Sequence, residues 1–161
     1  MTDTDPKREF LRHAVATLAY RGARVLENAP VGFADFHAGS DVRTPRQILA
    51  HVGDLLDWAR AMAEGNPQWR DSQLLPWDHE SARFFAGLKA FDKFLASGNA
   101  LQAPVERLLQ GPIADALTHV GQIAMLRRLA RSPTKGENFF VAEISAGCVG
   151  SDQPAPKRQF D

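Results

Sequence analysis

Between Gly111 and Arg131 the sequence GPIADALTHVGQIAMLRRLAR is apolar or small almost all the way round a helix, yet it sets Asp115, His119 and Gln122 four and three residues apart on one face. At about 100° per residue Ala116, Ile123 and Leu126 fall on that same side, so the spacing predicts a polar trio pointing into a packed interior. A helix of this kind must be covered on more than one side, either inside a bundle or against a second subunit. A carboxylate and an imidazole buried there need partners. A hydrogen-bond network would serve, and so would a divalent metal bound by Asp115 and His119 together. On the side away from the trio, Ala114, Thr118 and Gly121 would let another helix approach closely, while Arg127, Arg128 and Arg131 compensate the negative helix end.

Three further amphipathic segments precede this one. Asp5-Pro6 reads as an N-cap with proline at the first helical position, and Leu11, Val15, Leu18, Gly22, Val25 and Leu26 then fall on one side of a helix over residues 6–27. His13 lies on the opposite side and reads as a rim histidine. Residues 28–43 form a long connection anchored by Phe33 and Phe36, with His37 in solvent. Thr44-Pro45-Arg46-Gln47 is a capping box, and the helix it starts runs over 45–64 to a stop at Gly65. Its inward stripe collects Ile48, His51, Leu55, Trp58, Ala59 and Met62, with His51 in the middle.

A second irregular link over 66–77 carries Trp69, Leu74, Leu75 and Trp77. Asp78 is then the expected cap of a helix over 79–97, whose Phe84, Phe85, Leu88, Phe91, Phe94 and Leu95 carry the aromatic core; His79 in its first turn reads as exposed. Pro104 to Leu109 allows a short helical piece, after which Gly111-Pro112 either restarts the chain or kinks one longer helix, giving a last helix over 112–131. The tail 132–161 reads as an irregular wrap anchored by Phe139, Phe140, Val141 and Ile144, with its last ten residues frayed. The expected fold class is therefore all-α, a four-helix bundle in a single domain over 1–161.

Composition narrows the partners. Lysine plus arginine and aspartate plus glutamate each number 19, with no long block of one sign, so neither nucleic acid nor an anionic membrane is expected as a partner. The single cysteine, Cys148, forms no internal disulfide and excludes a cysteine-based zinc site. The charged start MTDTDPKREF lacks a secretory apolar stretch, and no run approaches a membrane span, so a cytoplasmic location is expected.

Two helices thus each offer an inward histidine, His51 from the second and His119 from the fourth, with Asp115 one turn before His119. Residues four apart on a helix have β-carbons about 5–6 Å apart, so both can reach one ion, and a third ligand from a facing helix leaves positions open for water or substrate. The alternative from spacing alone is that His51 and His119 are separately satisfied core histidines and that Asp115 only complements the helix dipole. Gln122 then either supports a ligand or is an ordinary hydrogen bonder within the bundle.

THVGQIAMLRRL resembles the final-helix motif of the DinB-like superfamily, in which His-Arg-Gly-Gln is typical and another histidine commonly stands one turn earlier. His119, Gly121 and Gln122 match that motif, Val120 replaces its arginine, and Asp115 takes the place of the earlier histidine. TPRQILAHVGDLLDWARAM is similar to that family's second helix, with His51 at its metal-ligand position, so the resemblance covers most of residues 5–131. It implies a bundle, often homodimeric, holding a divalent metal through residues of the second and fourth helices, here His51, Asp115 and His119. Zinc or nickel is the first expectation for the metal, with manganese or iron next. In some branches of the family the metal activates a low-molecular-weight thiol for transfer or isomerisation.

Two functions fit these residues. The first is a metal-dependent transferase, isomerase or hydrolase that activates a small-molecule thiol or water, with Trp58 and Met62 lining the approach and Asp54 orienting a ligand. No separate general base stands out in the sequence. The second is a non-catalytic dimeric bundle, a binding or stress-associated protein. Should Asp115 not be a ligand, the third is sought among Gln122, Asp54 and Glu137.

Overall fold

The computed structural model describes residues 5–161. Its body is four helices: α1 (Pro6–Leu26), α2 (Pro45–Glu64), α3 (Trp77–Ala96) and α4, which is assembled from a helical turn Val105–Leu108, a π-helical turn Leu109–Ile113 and a long segment Ala114–Leu129. Around the bundle they follow the order α1, α3, α2, α4, each packing on two neighbours. Residues 27–44 therefore carry the chain diagonally across one end of the bundle. Phe33 anchors that crossing, buried edge-on against Trp77 with ring centroids 5.6 Å apart.

The start signals act as their chemistry dictates. The Asp5 carboxylate accepts from the Lys7 amide at 3.0 Å, and Pro6 opens α1. Thr44 and Gln47 close a reciprocal capping box, and Gly65 at φ 86° ends α2 in the left-handed conformation open to glycine. The apolar stripe of α1 is buried, as are Ile48, Leu55 and Ala59 of α2 and Phe84, Leu88, Phe91 and Leu95 of α3. A β-carbon at Gly22 would collide with the Phe84 ring, so Gly22 is what lets α1 and α3 close over that phenyl group.

Several boundaries differ from the periodicity. Helix α3 starts at Trp77, with Pro76 rather than Asp78 at the cap position and no side chain closing it. The last helix is not confined to 112–131. It runs from Val105 to Leu129, and the π turn takes up Pro112, whose missing N–H and ring would clash with a regular α-helix. Nor is the tail wholly irregular, because Gly136–Glu137 pairs antiparallel with Gln159–Phe160. The chain end is thus held rather than frayed, with the Phe160 ring lying on Gly136. Of the expected tail anchors, Phe139 packs on Tyr20 and Ile144 lies partly buried against the core, whereas Phe140 and Val141 are exposed; Val149 is the tail side chain buried in the core.

Arg127 has a larger role than compensating its own helix. It is buried, and its guanidinium donates to the carbonyls of Val25 (3.1 Å), Glu27 (3.0 Å) and Asn28 (3.4 Å), closing the C-terminal end of α1, and to the Ser132 carbonyl (2.7 Å). The cation thereby faces the negative ends of two helices, and among the described residues it forms no ion pair with a carboxylate. Among the described residues no helix is long and apolar enough to cross a membrane.

Candidate metal centre

His51 lies midway along α2, and His119 lies one turn after Asp115 on α4, so the packing of α4 on α2 decides whether they meet. They do. The two imidazoles stand edge to face with ring centroids 4.8 Å apart and planes at 88°. Asp115 lies against both, its carboxylate oxygens 3.4 Å from Nε2 of His119 and 3.8 Å from Nε2 of His51. One donor atom from each of the three residues falls within 4.8 Å of the others.

The group sits at the rim of the bundle rather than in its interior. Side-chain exposure is 13% for His119, 23% for His51 and 48% for Asp115, and Gln122 is exposed as well. The spacing placed these residues on one face correctly, but that face covers only the edge of α2. The remainder opens to solvent.

The donor chemistry fits a cation. Gln122 Oε1 lies 2.8 Å from Nδ1 of His119, and because a carboxamide oxygen can only accept, the proton of the neutral ring is on Nδ1 and the Nε2 lone pair is turned to Asp115. With that neutral ring two acceptors face each other, an arrangement that a positive charge between them, a proton or a metal ion, relieves. Such outer support of a histidine fixes its tautomer and ring direction for ligation. Burial, and next the neighbouring His119, push the His51 pKa below its ordinary value of 6.5, which favours the neutral ring a metal needs. Two imidazole nitrogens and a carboxylate are a familiar set for zinc, nickel, manganese or iron, and three protein ligands leave coordination positions free.

The surroundings differ on the two sides of His51. On one side Trp69 from the link after α2 lies 5.6 Å from the His51 ring and edge-on to Trp58 at 5.7 Å. On the other side an open cleft of about 790 Å³ reaches His51, His119 and Gln122 between the apolar side chains of Val42, Ile48, Met125 and Leu129. Met125 and Leu129 are more than half exposed there, so α4 passes along its length from a polar head at Asp115 to an apolar floor.

The other residues expected to serve the site are used elsewhere. Asp54 is buried and does not orient His51; it accepts from Arg83 at 2.6 Å and from the Ser72 amide at 3.3 Å. Arg83 also binds Asp57 and Ser72, and Glu80 accepts from the Leu75 amide, so these polar groups tether the link that carries Trp69. Gly53 makes room for them, since a β-carbon there would lie 2.7 Å from the Arg83 guanidinium. Glu137 is buried against the Tyr20 hydroxyl and takes no part in the His51 group. Trp58 packs edge-on against Trp69, which in turn faces the His51 ring. No periodic signal marked Trp69, because a side chain on an irregular link has no face to be assigned to.

One of the alternative roles of Asp115 also loses its basis. Because α4 is helical from Val105 onward, Asp115 is not at a helix start, and the Ala114 amide just before it already bonds to the Gly111 and Leu109 carbonyls. The unpaired amides that a dipole-compensating acid would face are absent from its surroundings. No family model, curated protein or solved structure matches the chain.

Proposed function

We propose that the protein is a divalent-metal-binding bundle of the DinB-like type, in which His51, Asp115 and His119 hold the ion and the adjoining cleft admits its substrate. The observation that supports this reading is the meeting of His51 with Asp115 and His119 from another helix, with donor atoms within 4.8 Å at the mouth of an open cleft. When bound, the ion would supply Lewis acidity, making a small-molecule thiol or water more nucleophilic near neutral pH. Gln122 keeps the His119 proton on Nδ1, Trp69 and Trp58 shield one flank of His51, and the apolar wall of Val42, Met125 and Leu129 receives the organic part of the reactant. Transfer, isomerisation or hydrolysis are the reactions that such a site supports, with zinc or nickel as the first metal and a small thiol as the partner. The same resemblance carries a homodimer, which static light scattering at micromolar concentration would register as twice the chain mass.

The test is metal content by plasma mass spectrometry on untagged protein grown in metal-replete medium, beside His51→Ala. About one ion per chain, lost in the variant, is the expected result. Metal-free protein would instead favour the non-catalytic bundle.

A further inference from the structure

On the flank of α4 away from His51 the tail passes close to α1 and borders a partly open cavity of about 210 Å³. In a chain whose charges cancel, the lining of this cavity is concentrated in cations: Arg21, Arg24, Arg128 and Lys135, against the single carboxylate of Glu137. One oxygen of that carboxylate accepts from the Tyr20 hydroxyl; the other lies 3.8 Å from Nε of Arg24 with neither atom hydrogen-bonded, and Arg24 also donates to the Pro154 carbonyl. The other cations are not so occupied. Among the described residues neither Arg21 nor Arg128 has an acceptor, and Lys135 reaches only Asp161, at 4.0 Å with both side chains largely exposed.

Arg21 is nevertheless held in place. Its guanidinium carbon lies 3.9 Å from the centre of the Phe139 ring, a cation–π contact that occupies none of its N–H donors. A half-buried guanidinium so held, with no acceptor, is a preformed fork for an oxyanion. Gly121 of α4 leaves the space open, since no atom lies within 4 Å of where its β-carbon would be.

We infer that this cavity is a binding site for a small phosphorylated molecule. Arg21 on α1, Arg128 on α4 and Lys135 on the tail reach it from three elements, which matches a tetrahedral dianion accepting in several directions better than a planar carboxylate that one fork satisfies. The site stands apart from the His51 group and does not depend on a metal being bound there.

Isothermal titration of the full chain with inorganic phosphate and with glycerol phosphate, at ionic strength held constant with chloride, tests the assignment. Both should bind, with Arg21→Gln and Arg128→Gln each weakening them about tenfold or more, as the loss of a charge-assisted hydrogen bond requires. Gly121→Leu fills the cavity without altering charge and should abolish binding while leaving the fold intact, because its side chain enters empty space. Arg107→Gln, an exposed arginine on the first turn of α4, is the control and should change nothing. The assignment is overturned if phosphate gives no binding, if Arg21→Gln and Arg128→Gln bind it as the parent does, or if succinate binds as tightly as either phosphate.

Discussion

Asp115→Asn separates a ligand from an ordinary surface acid, and its effect can be worked through with and without metal. The Asp115 side chain is 48% exposed, and no unpaired helix amide faces it. In metal-free protein the substitution should therefore change stability by no more than about 0.5 kcal/mol, as for other surface positions. With zinc present the expectation reverses. An ion at about a hundred times its Kd adds roughly 2.7 kcal/mol to the folded state. Removing a charged ligand should weaken binding at least as much as loss of an outer-shell partner, which costs about 10–100-fold. A 100-fold loss brings the metal near its new Kd, where the gain is only about 0.4 kcal/mol. For a chain of this length the difference of about 2.3 kcal/mol corresponds to roughly 5–9 °C in Tm. Thermal unfolding of parent and variant, each with zinc and with chelator, reads both halves. An equal zinc-induced shift in the two proteins would refute the assignment of Asp115 as a ligand.

Three further outcomes are expected. Arg127→Met deprives the carbonyls of Val25, Glu27, Asn28 and Ser132 of their donor, and since only the more buried of them cannot recover water the loss should be about 3 kcal/mol by urea denaturation; a loss under about 1 kcal/mol would show that α1 closes its end without it. Because the folded His51 pKa lies below the unfolded value of 6.5, the unfolded chain binds more protons in that window. The His51 contribution is thus fully present above about pH 6.5 and is lost as pH falls, so denaturation midpoints of metal-free protein should decline toward about pH 5 less steeply in His51→Phe than in the parent. Nickel or copper binding should quench tryptophan emission through Trp69, 5.6 Å from His51; quenching that persists undiminished in Trp69→Phe would place the ion elsewhere.

The helix ends and the buried stripes were legible in the sequence because their causes are local. A capping box needs only Thr44 and Gln47, a left-handed stop needs only Gly65, and the 3.6-residue period alone puts Asp115, His119 and Gln122 on one face and His51 inside the stripe of α2. What lies opposite that face depends on how far α2 reaches across it, and the answer came from packing: His119 is covered, Asp115 is half in solvent, and Trp69 closes on His51 from an irregular link. The competing demands on polar side chains were decided in the same way. Asp54 went to Arg83, which lies 29 residues later, and Glu137 to Tyr20, which lies 117 residues earlier, since a buried carboxylate is satisfied by whichever donor the fold brings within reach. Spacing along one helix is encoded residue by residue. Contact between helices is set by the whole core, and so the meeting of His51 with Asp115 and His119, the open cleft and the cationic cavity behind α4 became visible only in the folded chain.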